Sequence, residues 1–231
     1  MFYVAGNNMS IFGNLFGKNE EQNTQEQQPV QSAPMSTGAL RTGNEVTLDL
    51  SKGGLLNLNK GDFLNLTKTG LSLSRIRAAA GWDMASFGGS IDLDLCAYLF
   101  SGRKLERTVY YGAKRWDGIY LDGDNLTGEG DGDDENIMIN FDKIPNSIDR
   151  IVIAVVIYSV GKTFGGVKNA YVRLVDESQG EKELVRYNLS SDGGRNTAVV
   201  AAELQKVNGE WTFVAVGDYS KNSIKSLGNR L

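Results

Sequence analysis

Residues 122–135, D-G-D-N-L-T-G-E-G-D-G-D-D-E, place seven carboxylates and four glycines in fourteen positions, with no Lys or Arg among them. Two unit charges 4 Å apart repel by roughly 1 kcal/mol in water and by several times that near a protein surface. Such a segment has three ways out. It stays unfolded, Lys and Arg from elsewhere neutralise it, or a divalent cation is clamped inside it. Spacing favours the cation. Asp131, Asp133, Asp134 and Glu135 fall within five residues, Asp122 and Asp124 form a D-x-D, and the glycines let the backbone curl so that oxygens converge. The pattern is not an EF-hand. Counting from Asp122, positions 5 and 6 are Leu126 and Thr127, where that motif needs an oxygen ligand and a glycine.

A second acidic pair supports the same chemistry. In I-D-L-D-L, Asp92 and Asp94 are two apart on a predicted strand and project from one face, with Ile91, Leu93 and Leu95 on the other. Asp83, in G-W-D, adds a carboxylate just before that strand. The chain has no histidine and one cysteine, Cys96. That removes Ser-His-Asp and Cys-His catalysis, His-based metal sites, internal disulfides and Cys-rich clusters. Any metal must therefore be held by oxygens, which points to a hard cation such as Ca²⁺, Mg²⁺ or Mn²⁺. A carboxylate pair for glycoside hydrolysis needs environments that push two pKa values apart, and seven acids in one Gly-rich loop do the opposite. The loop lacks the G-K-[ST] of a phosphate-binding loop, and its charge repels phosphate.

The elements around these residues read as β. At 231 residues, 41% hydrophobic and 23% charged, the chain has the composition of a globular protein. E-V-T-L-D-L-S (45–51), I-D-L-D-L-C-A-Y-L (91–99) and E-R-T-V-Y-Y-G (106–112) read as strands. I-V-I-A-V-V-I-Y (151–158) is a β-branched run suited to burial on both faces. Four more runs, 169–176, 183–189, 196–204 and 210–217, follow at short spacing. Asn208-Gly209 marks a hairpin. The fold class expected is all-β, a sandwich or barrel, with a short helix in K-N-S-I-K-S-L-G-N-R-L at the end. No apolar run is long enough for a transmembrane helix, and residues 1–16 lack the basic region and cleavage pattern of a secretory signal. The net charge of −4, without a basic patch, argues against nucleic acid as a partner. Residues 1–43 read as a separate, disordered extension. Its Gln-, Asn- and Ser-rich part has too little apolar surface to fold, and Ile11, Phe12, Leu15 and Phe16 could form a short face within 9–17 that docks on a partner or on the inner membrane surface. Met9 opens a segment that reads as a natural start.

The run from G-W-D and I-D-L-D-L-C-A-Y-L through G-D-N-L-T-G-E-G-D-G-D-D-E-N-I-M-I-N-F-D-K-I-P to N-G-E-W-T-F-V-A-V-G resembles the TerD family of tellurium-resistance and stress-response proteins. The resemblance covers about residues 44–231, and the loop motif is long and specific. It implies a β-sandwich of two mainly antiparallel sheets that binds calcium, two ions in the usual case. It implies cytoplasmic residence with a role at the inner face of the membrane, and other stress-response or tellurium-resistance proteins as partners. Carried over residue by residue, the ligands become Asp83, Asp92, Asp94, Asp124, Asn125, Asp131, Asp133, Asp134 and Glu135. The chain departs from the family in its extension, in V-Y-Y-G-A-K-R, and in E-L-Q-K near the end.

The leading expectation is a non-enzymatic calcium-binding stress-response protein whose ordered loop recruits a partner. The alternatives are an assembly protein of a phage or membrane-associated particle with calcium as a rivet, and a small-molecule binder in which calcium bridges to an anion. Direct reduction of tellurite is disfavoured, because one cysteine without a cofactor motif supplies no redox group.

Overall fold

A computed structural model describes residues 43–47, 56–66, 74–84, 90–123, 126–127, 132–189 and 193–231. The extension, its docking peptide at 9–17 and most of the strand expected at 45–51 lie outside them. Glu45, at the start of that run, makes one parallel bridge to Phe63.

In chain order the described strands are β1 (Leu56–Asn57), β2 (Phe63–Asn65), β3 (Arg75–Met84), β4 (Leu93–Ser101), β5 (Lys104–Val109), β6 (Arg115–Trp116), β7 (Ile119–Asp122), β8 (Glu135–Asn140), β9 (Arg150–Ile157), β10 (Val167–Asp176), β11 (Lys182–Asn188), β12 (Ala198–Val207) and β13 (Glu210–Ser220). The helix α1 (Ile224–Arg230) closes the chain. One sheet runs β1-β11-β10-β3-β8-β7-β6 and the other β2-β13-β12-β9-β4-β5. Among the pairings between these named strands only β1–β11 is parallel. The expected β-sandwich is therefore the fold.

Period-2 alternation explains the layers. Ile91, Leu93, Leu95, Ala97 and Leu99 point into the main core with Ile153 and Val155 of β9 and Ile137 and Ile139 of β8. The opposite face of β4 is buried as well. Cys96, Tyr98 and Phe100 pack with Val152, Ala154 and Val156 beneath Leu227 of α1. That helix starts at Ser223, whose side chain accepts from the Ser226 amide while the Ser226 hydroxyl bonds back to the Ser223 amide. Tyr98 Oη donates to the Ile224 carbonyl at 2.9 Å and fixes the helix to the sheet.

The Asn208-Gly209 hairpin forms as expected, with φ of 53° and 84°. Both central residues lie in the left-handed region, as a type I′ turn requires. Of the described strands of four residues or more, three were not read from the sequence: β3, β7 and β8. β3 carries R-A-A-A-G, a run of small residues with little β-propensity. It is a strand because it is paired on both edges, Ala80 opposite Glu135 of β8 and opposite Val172 of β10.

Candidate functional site

Antiparallel pairing gathers the acidic residues at one end of the sandwich. The end of β3 lies beside the start of β8, because Ala80 pairs with Glu135. The start of β4 lies beside the end of β9, because Leu93 pairs with Ile157. β7 reaches this end at Asp122 and β8 starts from it at Glu135, so both described ends of the 122–135 loop lie here.

Glu135 ties the two sheets together. β5 pairs with β4 only as far as Ala97, opposite Val109. Beyond that point the amide of Leu95 lacks a ladder partner from β5, and a buried amide cannot be left unsatisfied cheaply. Glu135, fully buried, accepts from it at 2.5 Å. Asp134 does similar work within its own sheet. Its amide donates to the Ala80 carbonyl at 2.8 Å, and its Oδ2 accepts from the Trp82 amide at 2.9 Å. Trp82 reaches the other way, its Nε1 donating to the Ile91 carbonyl just before β4.

Asp133 meets arginines. Arg173 donates from Nε to Oδ1 and from Nη2 to Oδ2, both at 2.7 Å. Arg77 Nη1 donates to Oδ2 at 2.7 Å, and Tyr171 Oη donates to Oδ1 at 3.0 Å. Both oxygens of Asp133 are thus engaged, and its side chain is 5% exposed. The network continues outward. Arg77 Nε donates to Glu177 at 2.6 Å, while Arg173 and Arg186 both donate to Glu183. Three arginines face Asp133, Glu177 and Glu183, with the exposed Glu181 3.6 Å from Arg77 at the rim, so the buried part of the cluster is close to neutral. Burial opposes ionisation of Glu183, but the Arg186 and Arg173 hydrogen bonds outweigh it and hold its carboxyl below the usual range. Burial and the Asp133 carboxylate push the Tyr171 phenol up to about 12.

Gly81 makes this docking fit. A Cβ there would stand 2.4 Å from Tyr171 Oη and 2.7 Å from the Gly132 carbonyl. The single Tyr171 hydroxyl proton is shared between Asp133 Oδ1 and that carbonyl, 2.8 Å away, and Gly132 itself has φ 108°. The end of the loop is therefore pinned to the outer face of the β3–β10 pair by both backbone and side chains.

The other candidates divide. Asp92 and Asp94 share a face with Cys96, as the alternation predicts. Asp92 is half-buried, with its amide donating to Ser159 Oγ and its carbonyl accepting from Tyr158, and Asp94 is buried. Burial raises the Cys96 thiol, and Asp94 and Glu135 add to that rise. The thiol is sealed and protonated, hence an inert packing group. Asp83 stands apart on the exposed end of β3, where it accepts from Asn169 Nδ2 at 2.6 Å. Asp124, Asn125 and Asp131 lie outside the described residues. Among the described residues no three His, Cys, Asp or Glu side chains converge in a way that could hold a metal ion. Sequence reasoning did not identify Arg77, Arg173, Tyr171 or Gly81 as contributors. The signal was the alternation R-x-R in 75–77 and Y-x-R in 171–173, which puts each pair on one strand face once β3 is known to be a strand.

The TerD domain family matches residues 55–230. The tellurium resistance protein TerD of Serratia marcescens is 37% identical over 192 residues, covering 79% of this chain and 95% of its own. General stress protein 16U of Bacillus subtilis is 38% identical over 162 residues, covering 65% of this chain and 83% of its own. A crystal structure of a telluride resistance protein (TerD) homologue from Streptomyces coelicolor superposes with a TM-score of 0.59 at 23% identity, over 68% of this chain and 96% of that one, and shares the fold. With its sandwich and the span of that match, the chain belongs to the TerD family of tellurium-resistance and stress-response proteins.

Proposed function

We propose that this chain is a non-enzymatic, Ca²⁺-binding stress-response protein in which the ion orders the 122–135 loop and the ordered loop recruits a partner. The observation that carries the reading is how the fold fastens the end of the loop. Its last three acids have partners in the fold: Asp133 two arginines and a tyrosine, Asp134 the Trp82 amide, Glu135 the Leu95 amide. No Lys or Arg occurs among residues 122–131, where Asp122, Asp124, Glu129 and Asp131 remain. Those acids, with Asn125 and with Asp92 and Asp94 of β4, form an all-oxygen donor set of the kind hard cations take. In this reading Asp133 anchors the loop, and the ion is held on the side toward β4. Bound calcium would supply positive charge and fixed geometry, and nothing in the reading requires turnover.

The test is calorimetric titration of Ca²⁺ and Mg²⁺ into chelator-stripped full-length protein, with thermal melts on the same samples. Calcium-selective binding should raise Tm, since an ion bound only by the folded state stabilises it by mass action, about 2.7 kcal/mol at a hundredfold excess over Kd. Asp131→Asn should weaken binding more than Asp83→Asn. Absence of both heat and shift would sink the calcium reading and leave the family as a statement of fold.

A further inference from the structure

The same end of the sandwich holds a cavity whose described lining shares one residue, Asp94, with the calcium reading. It measures about 500 Å³ and opens between the outer face of the β4–β9 pair and helix α1. That volume lies within the range of small-molecule sites.

One wall is aromatic. Tyr110, Tyr111 and Tyr158 follow one another in edge-to-face contact, with ring centroids 5.1 Å apart at 80° for the first pair and 5.4 Å apart at 77° for the second. Tyr111 and Tyr158 are two of the few large hydrophobic side chains left exposed among the described residues, at 37% and 59%. Leu105 and Ile224 add an apolar side, and the buried Asp94 brings a carboxylate to the lining. Among the described residues of the lining Lys225 is the one cationic side chain, and it is an exposed residue of α1, where solvent screens its charge.

Each component favours the same guest. Tyrosine faces attract cations through the ring quadrupole, and a set of rings turned at steep angles surrounds a compact cation better than parallel rings would. A carboxylate at low exposure supplies the counter-charge, and the apolar side accepts methyl or methylene groups. We propose that this cavity is a binding site for an organic ammonium ion, with the charged nitrogen between the tyrosines and Asp94 and the alkyl part along Leu105 and Ile224. The site goes beyond the calcium reading and is tested without calcium.

Full-length protein in chelator would be titrated with choline and with 3,3-dimethyl-1-butanol, its uncharged carbon isostere, by calorimetry and tyrosine-ring NMR. Choline should bind at millimolar concentration or better and the isostere at least tenfold more weakly. Tyr158→Phe should retain binding, and Tyr158→Ala should weaken it about two- to fivefold, the range for a cation–π contact at an exposed ring. Tyr158 is largely exposed, so both variants should melt like the parent. Asp94→Asn should remove most of the affinity for choline. Equal binding of the two probes would make the cavity a merely apolar groove and overturn the proposal. So would no binding of choline, or binding indifferent to both Tyr158→Ala and Asp94→Asn. Failure of calcium to bind in the separate titration would leave this result untouched.

Discussion

Removing Arg173 tests how the acidic loop is held to the fold. Arg173 makes a two-pronged contact to Asp133, 2.7 Å on each side, and a further contact to Glu183. Arg173→Ala leaves Asp133, 5% exposed, with Arg77 and Tyr171, and leaves Glu183 with Arg186. Hydrogen bonds to charged groups contribute about 1.5–3 kcal/mol each, and breaking a buried ion pair costs about 3–5 kcal/mol. Two remaining partners soften the loss, so about 3 kcal/mol is expected. For a domain of this size that corresponds to a fall in Tm of roughly 6–12 °C. Urea unfolding in chelator, at low and high salt, gives the free energy directly. Arg173→Lys should recover less than half of it, because a single ammonium cannot replace the planar fork. A double-mutant cycle with Asp133→Ala should show about 1–3 kcal/mol of coupling, the double variant being less destabilised than the sum of the singles. Additive costs, or an Arg173→Ala protein as stable as the parent, would refute the clamp.

Two other expectations follow from the same geometry. Gly81→Ala puts a methyl 2.4 Å from Tyr171 Oη and 2.7 Å from the Gly132 carbonyl, so it should cost about 1–3 kcal/mol by overpacking and loosen the end of the loop, read as a lower Tm and faster proteolysis within 122–135. Acid should destabilise the fold through Asp62 and Glu183. Amide hydrogen bonds from Asn59 and Asn44 hold the Asp62 carboxyl below its ordinary value, and Arg186 and Arg173 do the same for Glu183 against the pull of burial. A depressed folded value means the contribution is complete above the unfolded carboxyl range near pH 4 and is lost as pH falls through the lower folded values. Asp62→Asn should flatten the acid limb of a stability–pH curve measured from pH 6 to 2, and an unchanged limb would contradict the assignment.

The parts of the fold legible in sequence were those whose strands carry their own pattern. β4 and β9 announce themselves by alternation and by β-branched content, and both were placed correctly, down to the shared face of Asp92, Asp94 and Cys96. β3 was illegible because Arg75–Met84 gains its conformation from two neighbours rather than from its own residues. With β3 unread, Arg77 could not be placed opposite the loop, and neutralisation of Asp133 by arginine lost out to the cation in the sequence reading. The second buried face of β4 was equally hidden, since it depends on α1 arriving from the far end of the chain. Composition alone suggests a hard cation for an all-oxygen acidic cluster, but which of its acids are fastened to the scaffold depends on pairings between residues far apart in sequence.

The position of β3 at the centre of its sheet has a consequence for biosynthesis. As the chain is made from its N-terminus, β3 emerges well before either strand that will flank it. Both of its edges stay open until β8 and then β10 appear. An open two-edged strand is a template for pairing with other chains, and aliphatic β-branched residues would make it sticky. R-I-R-A-A-A-G-W-D has a single β-branched residue, Ile76, and offers instead three alanines and a glycine among Arg75, Arg77 and Asp83. The composition that hid this strand from pattern reading is also one that keeps a nascent, unpaired strand from aggregating, with the charges acting as gatekeepers. Arg77 would then serve twice, first as a guard against wrong partners and later as the fastening for Asp133.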